Sequence, residues 1–200
     1  MEQPPQLTFT PLPGKSVRRG GETALQVGLG FRHLPKSASP ATLDQPTRFC
    51  AMKLVPSFGT NGFSIRNAKV RLVLLRSGSD PFPCVYDKFP RRKEELSQST
   101  LEIGLQSDST WVVGVSADIV YRTEIRRINT VLSTGGIMIP DVWWNFERRK
   151  GESALLGDSD LYLTIMSLEK IAIRGKLHFT GQLGLGRQIE LRHQFRIDAP

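Results

Sequence analysis

Cysteine and histidine are scarce in this 200-residue sequence: Cys50 and Cys84 on one side, His33, His178 and His193 on the other. Neither cysteine sits in a Cys-x-x-Cys pair and the histidines are scattered, so zinc-ligand spacing is missing and no metal is expected. Two buried thiols are expected for Cys50 and Cys84, with a disulfide between them as the alternative. No run approaches the roughly 20 apolar residues that cross a bilayer as a helix. Met1-Glu2-Gln3-Pro4-Pro5 carries no apolar stretch behind a basic start, and Glu2 stands where N-myristoylation needs glycine. Neither secretion nor a lipid anchor is therefore expected. Gly-x-Ser-x-Gly, the nucleophile elbow, is absent. Gly14-Lys15-Ser16 ends like a phosphate-binding loop. Its first glycine is replaced by Phe9, and Pro11 and Pro13 lack the amides that would cradle phosphate. With no paired carboxylates and no recognisable nucleophile, catalysis is not expected and no cofactor is implied.

What the chain has in surplus is positive charge. Lys and Arg number 27 against 19 Asp and Glu, a formal net charge of +8. Such an excess favours a polyanionic partner, either nucleic acid or an anionic membrane face. Hydrophobic residues make up 39% of the chain, enough at this length for one core without staples.

The clearest pattern is a period of two near the C-terminus, which is the mark of strands with one buried face. Ile171, Ile173, Leu177 and Phe179 alternate with Arg174, Lys176, His178 and Thr180, and Ile189, Leu191, Phe195 and Ile197 repeat the pattern. The glycines at 181, 184 and 186 predict a hairpin between these runs. Leu161, Leu163 and Ile165 predict a third strand in the same meander. Earlier strands are expected at 23–31, 48–55 and 63–75, the last two joined through Asn61-Gly62, a strong hairpin dipeptide. Residues 101–105 and 111–121 read as a further hairpin. The spacing of Ile125, Ile128 and Val131 predicts a short helix over 122–132. Residues 77–99 read as a long connection, and residues 1–21, with four prolines and Lys15, Arg18 and Arg19, as a flexible basic arm. The expected fold is a mostly β, single-domain antiparallel β-sandwich or flattened barrel over 22–200, with one short helix and that arm.

Trp143-Trp144, followed closely by Arg148-Arg149-Lys150, is the most suggestive local feature. Rings beside cations suit base stacking with phosphate contact, and equally a headgroup-level anchor on an anionic bilayer. Any strand holding both tryptophans turns one of them into the core. The candidate polyanion-binding residues are Lys15, Arg18, Arg19, Arg126, Arg127, Arg148, Arg149 and Lys150, with Trp143 and Trp144 as stacking or membrane anchors.

Arg48-Phe49-Cys50, then Asn61-Gly62-Phe63-Ser64-Ile65-Arg66, resembles the early strand and Asn-Gly turn of rhabdovirus-like matrix proteins of non-segmented negative-strand RNA viruses. Residues 161–179, ending Ile173-Arg174-Gly175-Lys176-Leu177-His178-Phe179, resemble their late strand pair. The Pro-Pro-x-Tyr motif often carried by that family is missing, since Gln6 and Leu7 follow Pro4-Pro5. The resemblance implies a viral structural protein that forms homo-oligomers and bridges an anionic membrane surface to viral nucleoprotein or RNA. It would reside in the virion and host cytoplasm at the inner membrane face and would not be secreted. A plant-virus movement protein, a jelly-roll coat protein binding RNA and a non-viral β-sandwich interaction module are the alternatives.

Overall fold

Alternating side chains give the described residues thirteen strands, and their pairing sorts them into two large sheets and one small one. The computed structural model describes residues 8–19, 22–34, 47–58, 64–76, 82–89, 99–103, 121–125, 131–135, 139–148, 153–155, 157–183 and 186–200. One sheet runs in the order β1 (Thr10–Arg19), β2 (Glu22–His33), β3 (Thr47–Phe58), β11 (Leu161–Leu168), β5 (Cys84–Phe89), with the short β10 (Gly157–Asp158) added on β3. The other runs β13 (Gln188–Ile197), β12 (Ile173–Leu183), β4 (Ile65–Leu74), β9 (Asp141–Glu147), β8 (Val131–Gly135). β6 (Ser99–Ile103) and β7 (Tyr121–Ile125) pair with each other alone. Every ladder is antiparallel. The fold is thus mostly β, two sheets facing each other across one apolar layer, as the alternation predicts.

The core forms where the inward faces meet. Leu25, Val27 and Leu29 of β2, Met52 and Leu54 of β3, and Leu163 and Ile165 of β11 pack in one cluster with Val70 and Leu72 of β4, Trp144 of β9, and Leu177 and Phe179 of β12. Phe58, from the six-stranded sheet, meets Phe146 and Phe179, from the five-stranded sheet, edge-on at 5.3 and 5.5 Å between centroids. Such contacts add about 0.5–1.5 kcal/mol each beyond the area they bury, and here they join the two layers. At one margin Leu74 N–H donates to the Pro140 carbonyl (2.7 Å) and Val85 N–H to that of Ile139 (3.0 Å), so residues 139–140 bridge the sheets.

Several sequence expectations are corrected. β11 does not continue the β12–β13 meander. It lies between β3 and β5, buried on both faces, because the turn after Leu168 carries the chain across to the other sheet. Likewise β3 and β4 belong to different sheets and do not form the expected hairpin, and Asn61-Gly62 lies outside the described residues. The helix over 122–132 is replaced at its two ends by β7 and β8. Tyr121, Thr123 and Ile125 also alternate, and pairing with β6 decides in favour of the strand. No α-helix occurs among the described residues. Part of the expected flexible arm is β1, hydrogen-bonded along β2, with an irregularity between Leu12 and Lys15. Gly14 is needed there, since a Cβ would lie 2.7 Å from the Val27 carbonyl oxygen. The long connection over 77–99 contains β5.

Cys50 and Cys84 are both free and buried. Register explains why they do not pair. Cys50 aligns with Ile165 and belongs to the core cluster between the sheets, whereas Cys84 aligns with Met166 and packs with Phe49 in a separate cluster.

Arg48 is 6% exposed and ties several ends of the chain together. Its Nη2 donates to the Ile171 carbonyl (2.6 Å), its Nε to that of Leu168 (3.3 Å), and its Nη1 to that of Asp198 (3.4 Å). Nη1 also lies 3.1 Å from His33 Nδ1. A guanidinium only donates, so this contact requires Nδ1 to be the unprotonated nitrogen. Burial, helped by the adjacent guanidinium, holds the His33 pKa below its ordinary value.

Candidate functional site

The outward face of the five-stranded sheet gathers polar side chains from four strands into rows. Register sets Arg192, His178, Arg71 and Trp143 side by side in one row, and Glu190, Thr180, Lys69 and Asn145 in the next. The row beyond is Gln188, Gln182, Asn67 and Glu147. In the opposite direction lie Gln194 and Lys176, then Arg196 and Arg174. Adjacent strands are about 4.8 Å apart, so a four-strand row spans about 14 Å.

The face divides by chemistry. Towards Arg174 it is cationic but largely self-compensated. Arg71 Nε donates to both Asp141 oxygens at 3.0 Å, and its Nη2 closes a bidentate pair. Arg192 pairs with Glu190 and Arg196 with Asp198, each at 2.6 Å through Nε. The Arg192 hydrogen bond holds the Glu190 carboxyl below its ordinary pKa, and His178 Nδ1 lies 3.9 Å from the same carboxylate. Exposed pairs of this kind add little stability. Among the described residues Arg174, Lys176 and Lys69 lack a carboxylate partner, and Lys69 Nζ sits 5.3 Å from the centre of the Trp143 ring. Towards Gln188 the face becomes amide-rich. An open cavity of about 380 Å³ lies there across β13, β12, β4 and β9.

The described residues among those singled out from sequence do not converge. Lys15, Arg18 and Arg19 are exposed on β1, an outer strand of the six-stranded sheet, whereas Arg148 follows β9 in the other sheet. Arg148 donates through Nη1 to the Ser153 carbonyl at 3.4 Å. Arg126, Arg127, Arg149 and Lys150 lie outside the described residues. Trp143 is half-buried on the outward face, but Trp144, fully buried, offers no ring to a ligand, which corrects its reading as an anchor. Strand alternation turns the two indoles to opposite faces. Lys69, Arg71, Asn67, Asn145 and Lys176 went unnoticed as a group because pairing alone brings them together.

No protein-family model matches the sequence, and no curated protein does. Among solved structures, one described as a pore-forming protein aligns with 93% of this chain and 96% of its own, with a TM-score of 0.54 and 6% identity. The Clostridium perfringens delta-toxin aligns with 95% of this chain and 89% of its own, at a TM-score of 0.54 and 10% identity. At these identities the likeness establishes a shared fold. It overturns the resemblance to viral matrix proteins, because the proteins that share the fold over nearly its whole length include a pore-forming protein and a toxin. The bridging of membrane to viral nucleoprotein or RNA falls with that resemblance, as does placement in the virion and host cytoplasm as a non-secreted protein.

Proposed function

We propose that this protein is a non-viral β-sandwich interaction module that binds membrane surfaces and assembles with copies of itself, acting without catalysis. The observation that carries the reading is agreement in fold, over nearly the full length of both chains, with a pore-forming protein and a toxin. The outward face of the five-stranded sheet supports it independently. Arg174, Lys176 and Lys69 lack carboxylate partners among the described residues, and basic residues near an anionic surface contribute about 1 kcal/mol each. Three of them give about 3 kcal/mol, roughly a hundredfold in affinity and too little to hold one copy on a membrane. Several copies joined in one assembly multiply that attachment through effective concentration. Membrane binding and self-association therefore support each other.

The test is co-sedimentation of the protein with anionic and neutral vesicles across a salt series, with release of an entrapped dye measured in parallel. Binding to anionic vesicles should weaken with salt, rise steeply with protein concentration and be accompanied by dye release. The double variant Arg174→Glu/Lys176→Glu, altered only at outward positions of β12, should bind at least tenfold more weakly. Absence of both binding and release, or wild-type binding by the charge-reversed variant, would overturn the proposal.

A further inference from the structure

The amide-rich end of the outward face is a ligand site of different character from its cationic end. Asn67 on β4, Asn145 on β9, Gln182 on β12 and Gln188 on β13 line one cavity, together with Lys69 and Glu147. Elsewhere on the described part of this face the only amide side chain is Gln194. The Asn67 Nδ2 donates to Gln182 Oε1 at 3.2 Å. That bond fixes both side chains relative to each other and leaves the Asn67 carbonyl oxygen and the Gln182 amide N–H groups for a ligand.

The lining restricts what can bind. Its ionic groups are one cation and one carboxylate, so it offers no net charge to a phosphate or a sulfate. Its apolar members, Ala68 at 6% and Phe146 at 1% exposure, are turned into the core and present backbone, so an apolar ligand finds no greasy wall. What remains is a set of groups that both donate and accept hydrogen bonds, which is what adjacent hydroxyls require. Trp143 stands on the same face of β9, two positions before Asn145, outside the lining, with Lys69 Nζ 5.3 Å from its ring centre. A volume of about 380 Å³ falls in the lower part of the range for small-molecule sites.

We infer that this cavity binds a neutral sugar, the terminal residues of a glycan. The inference goes beyond membrane adhesion and does not depend on it. One chemistry would serve two sources, the headgroup of a glycolipid or the glycan of a glycoprotein.

The experiment presents the purified protein to an array of immobilised neutral, sialylated and sulfated oligosaccharides, and to neutral vesicles with and without a neutral glycosphingolipid. The inference requires retention on neutral sugars. Binding on the array assigns the glycan whatever its carrier, and binding only on sugar-bearing vesicles assigns the lipid headgroup. Asn67→Ala/Gln182→Ala should lose at least tenfold in affinity while unfolding at the wild-type temperature, and Gln188→Ala provides a second, independent loss. Arg174→Glu/Lys176→Glu should retain sugar binding even where it loses anionic vesicles, which separates this site from the cationic end. No retention on any neutral sugar, retention confined to sialylated or sulfated glycans, or undiminished binding by the amide variants would overturn the assignment.

Discussion

Gly175 and Phe195 face each other across the β12–β13 ladder, and replacing that glycine tests the packing of the sheet directly. A Cβ placed on Gly175 would lie 2.3 Å from Phe195 Cζ and 2.4 Å from Cε1, with Cε2 at 3.2 Å. Carbon atoms in contact prefer about 3.5–4.0 Å, so the ring must move by more than 1 Å. Phe195 is 8% exposed and belongs to the core cluster, so its displacement pushes on packed neighbours. Overpacking of this kind costs about 1–3 kcal/mol. Removing a strand glycine returns about 0.5–1 kcal/mol through lost chain entropy in the unfolded state. The net expectation for Gly175→Ala is a loss of about 1–2 kcal/mol, or about 2–8 °C in Tm for a chain of this size. Equilibrium denaturation in urea, followed by fluorescence and far-UV circular dichroism, measures it. The decisive control is Phe195→Leu, which removes the obstructing ring atoms. In that background Gly175→Ala should be neutral or stabilising, giving a coupling of at least about 1 kcal/mol. An equal cost in both backgrounds, or no cost in the wild type, would refute the ring-over-glycine account.

Other outcomes follow from buried polar groups. The His33 pKa is lowered in the folded protein, so the unfolded chain takes up the proton first as pH falls. Stability should therefore decline from about pH 6.5 downward until the folded imidazole also titrates, and His33→Gln should flatten a pH series of urea midpoints over that window. Arg48→Met removes a buried guanidinium that donates to the Leu168, Ile171 and Asp198 carbonyls at a partly exposed margin of the fold. At about 0.5–1.5 kcal/mol for each hydrogen bond lost, a destabilisation of about 2–4 kcal/mol is expected in denaturant titration. Burial pushes the Cys50 thiol pKa up to about 12 and raises that of Cys84, so neither should react with a thiol reagent in the native protein, whereas both should react in guanidinium.

Alternation by itself settled much of the local structure. It marked β12 and β13 with their buried faces, made β11 a strand, and required Trp143 and Trp144 to part. It could not separate a short helix from two strands over 122–132, where apolar residues recur at both periods and pairing with β6 and β9 tips the balance. Nor could it assign strands to sheets, because a period of two states which side of a strand is buried and is silent about its partner. That is why the sequence pattern puts β11 beside β12 and predicts a hairpin at Asn61-Gly62, although β3 and β4 lie in opposite layers. The functional face shows the same division. Most outward residues of β4, β9, β12 and β13 follow from the sequence as polar, with Val73 and Trp143 the apolar exceptions. Register alone aligned Gln188, Gln182, Asn67 and Glu147 in a row, set Lys69 over Trp143, and buried Arg48 among carbonyls from distant parts of the chain. Sequence determined which side chains meet water, through local backbone geometry. The tertiary structure decided which of them meet one another, because that depends on pairing between strands far apart in the chain.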